Sequence, residues 1–117
     1  MRTQITPAHA ERLDKHIPLP DLLPMQLIIS VKDNLITNTK GEFIVLVDVD
    51  NQRSYSFSII GSRIWQAIDK PVAIGQLIEQ LCQRYDWERA ACELIVINFI
   101  MFLSREKLIL YQLFTYY

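Results

Sequence analysis

The chain has 117 residues, half of them hydrophobic, with 12 basic and 13 acidic side chains and a formal net charge of −1. That length suits one domain with a packed core. No basic stripe is present, which argues against nucleic acid as the main partner.

Residues 1–24 hold Pro7, Pro18, Pro20 and Pro24. Each fixes φ and lacks a backbone donor, so this stretch is expected to be a proline-rich N-terminal extension, extended over 17–24. His9 and His16 fall here without a set of further ligands at metal spacing, and read as tail side chains. No signal pattern opens the chain. The longest apolar run, residues 94–103, is interrupted by Asn98 and is far shorter than the roughly 20 residues a membrane span needs. Cys82 and Cys92 lie in segments of helical period and are expected as buried thiols. Together these features predict a soluble, cytoplasmic protein with no membrane partner.

Residues 26–31 are rich in Ile, Leu and Val and read as a first strand. Asp33-Asn34 signals a turn, after which residues 35–37 pair back or continue. Lys40-Gly41 makes a second turn before residues 43–47, apolar at every position and therefore expected to be central and covered on both faces. Asp50-Asn51 supplies a further turn whose residues tolerate left-handed geometry. Asp48, Asp50 and Gln52 imitate a calcium loop, but the sixth position is Arg53 and the twelfth Ile59, so the motif fails. Residues 54–59 then alternate Ser54, Ser56 and Ser58 with Tyr55, Phe57 and Ile59, the period of a strand with one polar and one apolar face. The expected order is an antiparallel meander of three short strands, with 54–59 last and its edge unblocked.

From Gly61 the period changes. Ile60, Ile64, Trp65 and Ile68 mark a short helix, and Asp69-Lys70-Pro71 ends it, with Pro71 suiting the start of the next. Ile74, Leu77, Ile78, Leu81, Cys82 and Tyr85 keep amphipathic helical spacing. Asp86 is expected to cap a third helix running to about Lys107, apolar nearly all round between 94 and 103. The final stretch, LILYQLFTYY, is expected to extend the helix briefly, then to form a strand, and to pack on the domain or on a second copy.

Leu46-Val47-Asp48, Tyr55-Ser56-Phe57, Gly61-Ser62-Arg63-Ile64-Trp65 and the Leu77, Leu81, Tyr85 helix resemble the PqqD-like family of precursor-peptide recognition elements. The tract from Gly61 to Trp65, with the helix start after Pro71-Val72, is most similar to the stand-alone leader-binding proteins of lasso-peptide biosynthesis. The resemblance covers about residues 26–110. It implies an α+β, winged-helix-like fold: a three-stranded antiparallel sheet followed by three helices. The domain is placed at 25–110, after the extension at 1–24 and before an apolar tail at 111–117.

The implied function is non-catalytic. The domain would bind the leader region of a ribosomally made precursor peptide and deliver it to a processing peptidase or cyclase. The peptide would add as a strand beside the last strand, over Arg53, Ser54, Tyr55, Ser56, Phe57 and Ser58, an open edge being able to pair with a partner's backbone. On the third helix, Ala91, Ile95, Asn98, Phe102 and Arg105 share one face and are expected to line the groove, Asn98 and Arg105 at its rim. The alternative makes Asn98 a hydrogen-bonded core residue and Arg105 a solvated end. Residues 17–22 resemble the Tyr-x-x-Pro-x-Leu spacing of such leaders, with Ile17 first, so the tail could fill the groove itself.

No phosphate loop, Cys–His pair or carboxylate cluster suggests catalysis, and no cofactor or metal is expected. The competing readings are a winged-helix DNA binder, which would need Lys and Arg along an exposed helix, and a structural dimerisation module burying the apolar helix and tail as a homodimer.

Overall fold

The computed structural model describes residues 25–112. The proline-rich extension, its two histidines, the segment 17–22 and the last five residues of the tail lie outside the described residues. In chain order the elements are β1 (Ile28–Val31), β2 (Leu35–Lys40), β3 (Phe43–Asp48), β4 (Arg53–Ser56), α1 (Ile59–Gln66), β5 (Val72–Ala73), α2 (Ile74–Tyr85), α3 (Arg89–Arg105) and β6 (Ile109–Gln112).

The mixed α and β composition matches expectation, but there are two antiparallel sheets instead of one. β2, β3 and β4 form the meander, while β1 lies between β5 and β6 in a second sheet. The cause is local. Asn34 takes a left-handed φ of 63° and reverses the chain, so that Leu35 to Lys40 pair with Asp48 to Phe43 over the whole length of β3. The first strand is thereby left to pair with Ile109–Gln112.

β3 is central, yet covered on one face only. Ile44, Leu46 and Asp48 are buried, whereas Phe43 stays 48% exposed and Val45 and Val47 are half-buried. The buried face meets α1, and a buried hydrogen bond fastens the two: the Ile44 N–H donates to Ser62 Oγ at 2.9 Å. The core continues through Ile64, Leu77, Ile78, Val96, Ile100 and Leu103, all at most 1% exposed. Each such side chain contributes about 1.5–3 kcal/mol by leaving water.

Several boundaries differ from those predicted. Ser58 is the N-cap of α1, its Oγ accepting the Gly61 N–H at 3.1 Å. That cap ends β4 at Ser56 and draws Ile59 into the helix, so Gly61 lies within the first turn. Asp86 does not cap α3. It sits at φ 56° and ψ 41° and terminates α2, while Glu88 caps α3 by accepting the Ala91 N–H at 3.3 Å. Pro71 leads into β5 and not directly into a helix. In the β3–β4 turn it is Gln52, at φ 56°, that adopts the left-handed conformation. Asp48 organises that turn by accepting from Asn51 Nδ2 at 2.8 Å.

Candidate functional site

An antiparallel pair alternates residues whose backbone groups face the partner with residues whose groups face away. The Phe57 N–H donates to the Ile44 carbonyl at 2.9 Å. By alternation Tyr55, opposite Leu46, and Arg53, opposite Asp48, also face β3. The N–H and C=O groups of Ser54 and Ser56 therefore point out of the sheet, and no strand among the described residues pairs with them. The side chains of Ser54 and Ser56 are exposed, while Tyr55 is half-buried and Phe57 buried.

α3 supplies a wall beside this edge. Phe99 meets Phe57 edge-on with ring centroids 5.2 Å apart, and Phe102 meets Tyr55 in the same way at 6.2 Å. Gly61 makes the close approach possible, since a Cβ there would stand 3.1 Å from Phe99 Cε1. One turn further along, Glu106 Oε1 accepts from the Tyr55 hydroxyl at 2.9 Å and from Arg53 Nη1 at 3.2 Å. Burial holds the Tyr55 hydroxyl above the usual phenol range, with the Glu106 contact acting in the same direction.

Helical spacing thus orders Ile95, Phe99, Phe102 and Glu106, at i, i+4, i+7 and i+11, along the flank turned towards β4. Of the predicted wall residues, Ile95 and Phe102 belong to this flank and are half-buried. Ala91, Asn98 and Arg105 are exposed and stand on the ridge beside it. Asn98 is consequently not a core residue. Phe99 and Glu106 escaped the sequence reading, although each lies four residues after a member of that flank. Ser58, counted there with the edge, is the α1 cap. The helix is less enclosed than its composition suggests: Leu94, on the outer ridge, is 62% exposed.

The remaining polar groups look structural. Lys32 Nζ lies 2.8 Å from the fully buried Asp48 carboxylate and joins the two sheets. The thiols of Cys82 and Cys92 are free, and burial pushes Cys92 up to about 12. Among the described residues no cluster of three potential ligands could hold a metal, and no helix is long and apolar enough to cross a membrane.

A family model described as coenzyme PQQ synthesis protein D, PqqD, matches residues 44–109. Among solved structures the chain is similar to TbiB1, determined in complex with the TbiA(beta) leader peptide. The TM-score is 0.62 and the identity 19%, over 68% of this chain and 93% of that one. At that identity the likeness is one of fold. No curated protein gives a significant match.

Proposed function

Because this chain belongs to the PqqD family, we propose that it binds the leader region of a ribosomally synthesised precursor peptide without acting on it chemically. The leader adds as a strand to β4 and packs its inward side chains on the α3 flank. The domain then delivers it to a processing peptidase or cyclase. One observation carries the reading: the outward backbone groups of Ser54 and Ser56 run beside a half-buried aromatic flank on α3. Backbone pairing supplies affinity in such an addition, and pockets for alternate side chains supply selectivity. The similarity to TbiB1, which was solved with a leader peptide, supports the same class of ligand.

Amide hydrogen exchange tests the geometry. The probe is a synthetic leader peptide from a short open reading frame adjoining the gene, added in excess. Exchange at Ser54 and Ser56 should slow, while Leu35, Thr37 and Thr39 on the opposite edge keep their rates. Protection that appears on β2 instead, or no saturable binding below about 10 μM, an affinity near −7 kcal/mol, would refute the proposal.

A further inference from the structure

The groove between β4 and α3 differs in chemistry from end to end. Where β4 runs into α1 it is apolar, with Phe57 packed on Phe99 and Ile95 one turn before Phe99 on the flank of α3. Where β4 begins it is charged. Arg53 is 65% exposed in its side chain, Glu106 27%, and Arg105 and Lys107 flank Glu106 in the chain, both exposed. A single oxygen of the Glu106 carboxylate accepts from both Tyr55 and Arg53, which engages one guanidinium nitrogen of Arg53.

Direction follows from the sheet. β2, β3 and β4 pair antiparallel throughout, and antiparallel pairing is the more stable per residue. A strand added to β4 in that sense starts at the apolar end and finishes at the charged one. Arg53 and Tyr55 of β4 and Phe57 just after it share the inner face, so three alternate side chains of the added strand pass them in turn, over about 13 Å. The first meets Phe57 and Phe99, the second Tyr55 and Phe102, and the third Arg53.

Resting on the strand-addition reading, we propose that the groove reads a directional pattern: apolar side chains at i and i+2, followed by an acidic side chain at i+4 that pairs with Arg53. A carboxylate at i+4 gains charge-assisted hydrogen bonds from the guanidinium nitrogens that Glu106 does not hold, whereas a basic side chain there meets the charge of Arg53. Glu106 is the internal competitor. It holds Arg53 in place and sets how strongly the acid is preferred.

Selection from a phage-displayed library of random peptides on the full-length protein tests this. Clones that also bind the Ser56→Pro variant are removed, so that edge binders remain. Asp and Glu should be enriched at i+4 by about threefold to fivefold, the ratio a part-exposed ion pair supports. Arg53→Gln should abolish that enrichment while the apolar preference at i and i+2 persists. Glu106→Gln should raise it, a gain that a purely structural role for this residue would not produce. Edge binders with no acidic preference, or with a basic one, would overturn the charge reading and leave strand addition standing. If no clone depends on Ser56, strand addition fails and the charge reading fails with it.

Discussion

Among the described residues the meander has an unpaired edge on each side, and the two are built differently. Along β4 the outward groups of Ser54 and Ser56 run beside Phe99, Phe102 and Glu106 of α3. Along β2 the Val49 N–H donates to the Asn34 carbonyl, so by alternation Leu35, Thr37 and Thr39 present their groups outward. Those residues overlook a cleft of about 410 Å³ lined also by Trp65 and Gln66, at the end of α1, and by Asp69. An edge strand by itself is a liability that any extended peptide can exploit. Beside β4 the wall turns that general stickiness into selection, because only side chains that fit the aromatic flank add to the backbone bonds.

Two proline substitutions break the comparison most directly. Ser56→Pro removes an outward donor and leaves the β3 ladder whole, since Ser56 does not use its N–H there. Peptide affinity should fall at least about 100-fold, near 2.7 kcal/mol. Thr37→Pro makes the same chemical change on the β2 edge, and affinity should stay within about twofold. Fluorescence anisotropy reports both, and far-ultraviolet circular dichroism checks that each variant folds. Equal losses in the two variants would mean that the edges are not distinguished.

How much of this was legible in the sequence depended on the length scale of the signal. The Ser and aromatic alternation of β4 survives in the structure because a period of two needs no distant partner to be seen. The same holds for α2, whose apolar stripe is unambiguous. The partner of β1 was hidden: Ile28–Val31 meets Ile109–Gln112 across most of the chain, and no turn signal encodes that pairing. β5 has two residues and so no period at all. On α3 the difficulty was phase. With apolar residues nearly all round, the sequence does not say which flank turns inward, and Asn98 and Arg105 drew attention to the ridge next to it. Phe99 became visible only through its contact with Phe57 and its proximity to Gly61.

The wall can be thinned while the edge stays intact. Phe102→Ala removes the ring that meets Tyr55, and should cost about 2–3 kcal/mol of stability, less than a fully buried Phe would. Affinity for the leader should drop about tenfold, between the two proline variants. If affinity is unchanged, the backbone edge alone does the binding and the distinction from β2 disappears.

A smaller effect comes from displacing the wall. In Gly61→Ala the new methyl group presses on Phe99, costing about 1 kcal/mol, while Ala gains up to about 1 kcal/mol over Gly within a helix. The two nearly cancel in the native background. With Phe99→Leu, which withdraws the ring edge, the same substitution should stabilise by about 0.5–1 kcal/mol. A double-mutant cycle by urea denaturation measures that difference, and no coupling would mean that Gly61 does not set the position of α3.

Asp48 offers the converse test, because it bears on both edges at once. It lies opposite Leu35 of β2 on one side and Arg53 of β4 on the other, and Lys32 ties it to the second sheet. The hydrogen bond from Lys32, helped by Asn51, holds its carboxyl below the usual carboxylate range. A group whose pKa is lower folded than unfolded contributes stability above its unfolded value, about 3.9 for Asp. That contribution is lost as pH falls through the lower, folded value. Thermal midpoints should therefore hold between about pH 7 and pH 5 and decline below about pH 4. In Lys32→Met the buried carboxylate loses its cation, its pKa rises, and the acid decline should begin at higher pH. Affinity at pH 7, measured on the fraction that remains folded, should change least of all the variants. Lys32 lines the cleft beside β2, whereas the polar partners of Lys32 and Asp48 are Asp50 and Asn51 and not the α3 flank that walls β4.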